Sequence, residues 1–266
     1  MANNAALVID NLADGAVISA STQAIAMPAA TLQTPHPSER WRSAGNSAFI
    51  VMDKLAPAIS DTVALFGLTC GANATLRVRL SSIDASGAAG EVLDTGAISN
   101  GSPQLDVTYG QFVYLLPAPV SSRYLRVDLS DPDADYVEAG ILLEGLREQF
   151  EINFAPGGAI QHVDRSRLSK TSSGKTLTWK DNAFRQADLT FSSVKAAQRY
   201  GVIERLDRVK GIHANVLLIT ETESENLARA SIFGLATELT PVVFNQALDV
   251  EGKPLFGKQF KIEERI

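Results

Sequence analysis

Residues 74–82 read Ala-Thr-Leu-Arg-Val-Arg-Leu-Ser-Ser, and residues 122–131 read Ser-Arg-Tyr-Leu-Arg-Val-Asp-Leu-Ser-Asp. Both contain Leu-Arg-Val-x-Leu-Ser. In the first copy Leu76, Val78 and Leu80 alternate with Arg77, Arg79 and Ser81. In the second, Leu125, Val127 and Leu129 alternate with Arg126, Asp128 and Ser130. An apolar residue at every second position marks a strand buried on one face. That face requires a second apolar layer, so two sheets packed face to face are the simplest fold. Both copies are expected in the core of the sandwich, with the chain up to Leu146 wrapped around them.

The flanking segments agree. Residues 8–12 and 16–20 read as short edge strands, and 49–53, 62–68, 111–116 and 136–146 as further strands. Pro117 and Pro119 close the 111–116 run, and Gly140 and Gly145 mark close backbone approaches. Gly/Ser-rich loops are expected at 86–90 and 100–103. No helical pattern precedes residue 148. Many short strands between turn signals mean an all-β sandwich or barrel.

Beyond residue 148 the pattern changes. Strands are expected at 158–168, 175–179 and 187–192. Then Val194, Ala197, Tyr200, Ile203, Leu206 and Val209 recur at helical spacing. Ser192 or Ser193 would cap this helix and Gly211 would stop it. Strands at 215–220, 230–236, 242–245 and 258–263 complete an α+β set. The expected architecture is mainly β, with a sandwich over residues 1–148 and an α+β domain over 149–266. A chain of 266 residues suits two domains of roughly 100–200 residues each.

Charge divides the same way. Residues 1–148 carry 8 Lys/Arg and 16 Asp/Glu, and the remainder 16 and 14, within a net charge of −6. The acidic first half argues against direct nucleic-acid contact there. No apolar run approaches ~18 residues, so no membrane-spanning helix is expected. The single cysteine, Cys70, excludes an intrachain disulfide and sits in an apolar run that reads as core filler. The opening Met1-Ala-Asn-Asn lacks the basic and apolar regions of a signal peptide, and none is expected.

Catalytic chemistry finds no foothold. His36, His162 and His213 stand apart in no metal-ligand pattern. There is no Gly-x-Ser-x-Gly elbow, and the Gly-x-x-x-x-Gly of residues 140–145 lacks the Lys-Ser/Thr of a phosphate loop. No pair of carboxylates stands out as a glycosidase couple. The chain is therefore read as a non-enzyme without cofactor.

Three clusters remain as candidate sites. Trp41, between Arg40 and Arg42, could offer an aromatic face to a sugar ring, but a buried core role is the preferred reading. Asp131, Asp133 and Asp135, with Glu138 nearby, present oxygens of the kind calcium takes. They lack the Gly and terminal Glu of an EF-hand loop, and Pro132 points to a plain acidic turn. Finally Lys170, Thr171, Ser172, Ser173, Gly174 and Lys175 form a polar hairpin tip suited to an assembly arm, since ring-forming contacts use protruding hairpins or open strand edges.

The order of landmarks carries a resemblance. Trp-Arg-Ser at 41–43 follows a proline-containing linker, and Val-Ala-Leu-Phe-Gly ends at Gly67. The two Leu-Arg-Val strands come next, and Glu-Ala-Gly-Ile-Leu-Leu-Glu-Gly at 138–145 closes the set. Residues 5–146 in this order resemble the galactose-binding-like, or discoidin-type, jelly roll found in phage tail proteins. In that family a Trp at this place implies a plug under the jelly roll. The strand–helix–strand order of residues 150–266, with Ile232-Phe233-Gly234 and a closing Phe260-Lys-Ile-Glu-Glu264, resembles the tail-tube-like and distal-tail folds of long-tailed phages. The resemblance implies a minor or distal tail protein, a structural component of the tail tip or baseplate of a virion. Its partners would be other copies of itself in a ring, and tail-tube and tail-tip proteins. The alternative it implies is a carbohydrate-binding adhesion module that attaches a particle or cell to a host-surface glycan.

Overall fold

The computed structural model describes residues 3–100 and 110–266. Of the loop expected at 100–103, the part from Gly101 onward lies outside the described residues. The chain forms two compact units.

The first unit contains β1 (Ala6–Val8), β2 (Val17–Ala20), β3 (Trp41–Arg42), β4 (Ser47–Leu68), β5 (Thr75–Ser81), β6 (Leu93–Asp94), β7 (Ile98–Ser99), β8 (Gly110–Ser130), β9 (Glu138–Ala139), β10 (Ile141–Gly145) and β11 (Glu148–Gln149). The two Leu-Arg-Val copies are β5 and the second half of β8, and they pair with each other. Leu76 stands opposite Leu129, Val78 opposite Val127 and Leu80 opposite Leu125. Antiparallel partners share a face, so both apolar rows enter one core, where all six side chains are buried.

β4 and β8 are long because each runs through both layers of the sandwich. The first half of β4 joins β2 and the second half of β8. Its second half joins the first half of β8 and β10. The register shifts between Asp53 and Ala58 and again between Ser60 and Thr62, and such bulges let a strand bend from one layer to the next. Within the first bulge Leu55 has φ 66°, a left-handed conformation unfavourable to a branched side chain. Its amide donates to Asp53 Oδ1 at 2.8 Å. Pro117 and Pro119 do not end their strand as expected. They fall in the part of β8 without a partner in β4, where a missing N–H costs no ladder bond.

The second layer brings Val63, Leu65, Phe112, Leu116 and Leu142 against the first. Close packing at its rim explains two glycines. A Cβ on Gly67, which has φ +71°, would stand 2.4 Å from the Pro37 carbonyl oxygen, and one on Gly140 would stand 2.1 Å from the same atom.

The second unit departs from the expected continuous segment. It comprises Phe150–Asn215 and Ile232–Arg265, while Val216–Ser231 belongs with the first unit. The reason is strand pairing. In β16 (Asn215–Ile219), Leu217, Leu218 and Ile219 pair with Val8, Leu7 and Ala6 of β1, which pairs with β11 on its other side. A short helix, α1 (Leu227–Ala230), and Ser231 follow, and Gln111 Nε2 donates to the Ser231 carbonyl at 2.8 Å.

Within the second unit, β12 (Ala159–Asp164) pairs with β15 (Ala183–Val194), and β15 pairs with β19 (Pro254–Glu264). β17 (Ser231–Ala236) and β18 (Val243–Leu248) both pair with β19. Phe150, Phe191 and Phe260 stack in the core, with ring centroids 4.1 Å apart for the first pair and 5.4 Å for Phe191 and Phe260. The helix expected over 194–210 is present over 196–210 but differs in two respects. β15 runs on through Val194, so no serine caps the helix; Lys195 precedes it without a side-chain cap. Arg199–Ile203 and Leu206–Lys210 are wound with i→i+5 bonds, including Gly211 N–H to the Leu206 carbonyl at 2.8 Å. Each such turn takes one residue more than an α-turn. The buried face is therefore Val202, Ile203 and Leu206, while Tyr200 and Val209, expected on the apolar stripe, are exposed. Asp207 on this helix holds Lys258 of β19, whose ammonium is buried and also donates to the Thr240 carbonyl at 2.7 Å.

Candidate functional site

The hairpin singled out in the sequence stands outside the main sheet. The run expected as one strand, 158–168, breaks at Arg165 and Ser166. Its first part is β12, paired within the sheet. Its second part is β13 (Arg167–Lys170), which pairs only with β14 (Thr176–Trp179) in a two-stranded sheet of its own. The base is pinned by Ser166, whose amide donates to Asp164 Oδ1 at 2.7 Å and whose hydroxyl accepts the Asp181 amide at 2.9 Å. The Ser166 hydroxyl and amide hold the Asp164 carboxyl below its usual range. Arg165 is committed to the sheet, pairing with Glu263 at 2.6 Å and lying over the Phe184 ring.

The tip is hydrogen-bonded to itself. The Thr171 amide donates to the Lys175 carbonyl and the Gly174 amide to the Thr171 carbonyl, each at 2.9 Å. Thr171 and Ser173 share a hydroxyl contact at 2.9 Å. Gly174 takes φ +83°, which a residue with a Cβ adopts only under strain.

Every residue of β13 and β14 is exposed. Register separates two faces. Arg167 opposes Trp179 and Ser169 opposes Leu177 on one; Leu168 opposes Thr178 and Lys170 opposes Thr176 on the other. Trp179 is 54% exposed, Leu177 45% and Leu168 73%. An isolated hairpin is at best marginally stable in water, and aromatic side chains offer large contact area at interfaces. Residues 165–180 contain five cations and no carboxylate. With Arg165 occupied, Arg167, Lys170, Lys175 and Lys180 are exposed, and among the described residues no carboxylate pairs with any of them.

The sequence pointed to Lys170 through Lys175 but not to Trp179, Leu177, Leu168, Arg167 or Lys180. Leu177 and Trp179 alternate with threonines as in any half-buried strand. That pattern promises a covering layer, which the second unit does not supply.

The other candidates are engaged internally. Trp41 is fully buried and its Nε1–H donates to the Thr22 carbonyl at 3.0 Å. It has no face open to a sugar ring, in line with the core reading and against the glycan contact; an indole in the core is held by packing plus one polar partner. Arg40 and Arg42 turn onto Glu138, at 2.9 Å for Arg40 Nη1 and 2.6 Å for Arg42 Nε. Arg42 also lies 4.0 Å from the Tyr136 ring centre. Glu138, expected beside the aspartates, is thus the counter-ion of two arginines. Asp131 is buried and accepts the amides of Gly71 at 2.6 Å and Asp133 at 3.1 Å. Asp133 accepts the Asn73 side-chain amide at 2.6 Å. Protein donors thus engage Asp131, Asp133 and Glu138, while Asp135 is exposed, and among the described residues no three His, Cys, Asp or Glu side chains converge as a metal-holding group.

The outward face of the sandwich carries a polar network. Arg79 and Arg126 stand opposite each other across β5 and β8, and both pair with Asp128, at 2.6 Å and 2.8 Å. Arg77 Nε donates to Asp94 at 2.7 Å and holds that carboxyl well below its usual range. Beside them lies an open hollow of about 220 Å³ lined by Ser47, Thr75, Arg77, Asp128 and Ser130, among others.

No family model matches the chain, and no curated protein does. Several solved structures are similar to about half of it. A family 32 carbohydrate-binding module from C. perfringens NanJ, in complex with galactose, aligns with 53% of this chain and 99% of its own, at 8% identity and a TM-score of 0.41. The CBM32 of AlyQ, in complex with 4,5-unsaturated mannuronic acid, aligns with 52% of this chain and 96% of its own, at 17% identity and a TM-score of 0.38. A Ruminococcus gnavus GH29 fucosidase in complex with fucose aligns with 52% of this chain at 11% identity and a TM-score of 0.38. The match spans 27% of the fucosidase's length.

Proposed function

We propose that this chain is a structural subunit of a tailed-phage tail tip or baseplate. In this reading the second unit joins copies of the chain in a ring and the β-sandwich decorates the assembly. The arm carries the proposal. A hairpin exposed on both faces, bearing a half-exposed Trp179 and four unpaired cations, has the surface of an element that is completed by a neighbour. A heterologous contact of that kind, repeated by rotation, closes into a ring. Sedimentation velocity on the full chain and on a variant lacking residues 170–174 tests it. The expected result is a concentration-dependent oligomer that the deletion abolishes while the melting transition stays in place. An unchanged oligomer would reject the role of the arm. Antibody labelling of particles would then test the site, with label expected at one end of a tail.

The hollow on the sandwich favours a second reading, attachment to a glycan. Three hydroxyl side chains beside an arginine and an aspartate suit the donor and acceptor pattern of a sugar ring. Glycan-array binding by the full chain, lost on Arg77→Ala, is the outcome that would support it.

A further inference from the structure

If the arm is the donor side of a contact between copies, the acceptor side has to be acidic. We propose that the arm of one copy docks on the strip Glu221, Glu223 and Glu225 of the next; this rests on the assembly reading above. The arm presents Arg167, Lys170, Lys175 and Lys180 with no carboxylate among them. Residues 220–226 read Thr-Glu-Thr-Glu-Ser-Glu-Asn. The three glutamates are exposed and the residues between them are half-buried.

That alternation has a cause in the hydrogen bonds. Thr222 Oγ1 donates to the Asn4 carbonyl at 3.2 Å and accepts from Gln149 Nε2 at 2.8 Å. The Glu223 amide donates to Asn3 Oδ1 at 2.9 Å, and the Ser224 hydroxyl accepts the Asn226 amide at 3.1 Å. The backbone of this turn is therefore held by the first unit, with its three glutamates exposed. Pre-organisation of this kind lowers the ordering cost of association. Among the described residues Glu221 and Glu225 have no cationic partner. Asp53, Asp94, Asp128 and Glu138, by contrast, each hold an arginine.

Exposed patches of opposite charge steer association. The arm and the strip lie on different units, so one copy offers both halves of a head-to-tail contact, as closure of a ring requires.

Reciprocal charge reversal tests this on the full chain. Four proteins are compared by sedimentation velocity at low and high salt: wild type, K170E/K175E, E221K/E225K, and the quadruple variant. Each double variant is expected to weaken self-association by about tenfold or more at low salt, and the quadruple to recover most of it. Wild-type association should weaken as salt is raised, because exposed charges are screened. All four substituted positions are exposed, and superimposable melting curves would confirm that the fold is kept. Loss with the arm variant but full association with the strip variant would overturn the inference and leave the assembly reading standing. Loss in both without recovery in the quadruple would also overturn it. Association unaffected by either double variant would overturn the inference alone; a wild type that stays monomeric would overturn both.

Discussion

The indole Nε1–H of Trp41 donates to the backbone carbonyl of Thr22 at 3.0 Å, inside a core where the ring is fully buried. Trp41→Ala removes both the packing and the partner of that carbonyl. It should lower unfolding free energy by about 3–5 kcal/mol, read from urea melts. Trp41→Phe keeps most of the apolar surface and loses the hydrogen bond, so a cost of about 1–3 kcal/mol is expected. Equal stability of all three proteins would contradict a core role.

Lys54 and Glu144 form an ion pair whose side chains are 2% and 0% exposed. Lys54 also donates to Ser122 Oγ at 2.8 Å. Lys54→Met leaves a carboxylate in the core without its counter-ion and should cost about 3–5 kcal/mol. Lys54→Met combined with Glu144→Leu should regain a large part of that loss, because the desolvated charge is gone. Additive losses in the double variant would show that the pair acts through something other than charge.

Burial pushes the Cys70 thiol up to about 12, and the carboxylates of Asp131 and Glu138 add to it. The native thiol should therefore react slowly with a maleimide at pH 8 and rapidly in urea, since the thiolate is the nucleophile. The linkage has a definite sign. Above the unfolded value near 9 the unfolded chain gives up this proton and the native one keeps it, so stability falls as pH rises from about 9 toward 12. Cys70→Ala should flatten that part of the stability–pH curve. A curve of the same slope would assign the alkaline loss to other groups.

The chain has two tryptophans, one buried at 41 and one exposed at 179. In a Trp41→Phe background, emission reports on the arm alone. Acrylamide should quench it strongly at low protein concentration. With rising concentration the emission should shift to the blue and quenching should weaken, as Trp179 is covered. A spectrum independent of concentration, in samples that do associate, would place Trp179 away from the contact.

The amino-acid sequence by itself determined the sandwich. Leu76, Val78 and Leu80, and Leu125, Val127 and Leu129, alternate with polar residues, and period two leaves a strand only one face to bury. It did not show that the two copies pair with each other, because register depends on where β4 and β8 bend. Those bends are set by bulges at Asp53 and Ser60 that no local pattern announces. The helix was legible in its existence and not in its buried face, since i→i+5 turns break the 3.6-residue period that the reading assumed. The return of Val216–Ser231 to the first unit was likewise invisible, because it rests on a pairing with Ala6, Leu7 and Val8 more than two hundred residues away. Among the candidate sites, local sequence located the hairpin tip through its run of small polar residues. Only the tertiary structure decided that Trp41 is a plug and Trp179 is not: both are aromatic residues in β-prone surroundings, and exposure depends on which distant segments come to cover them.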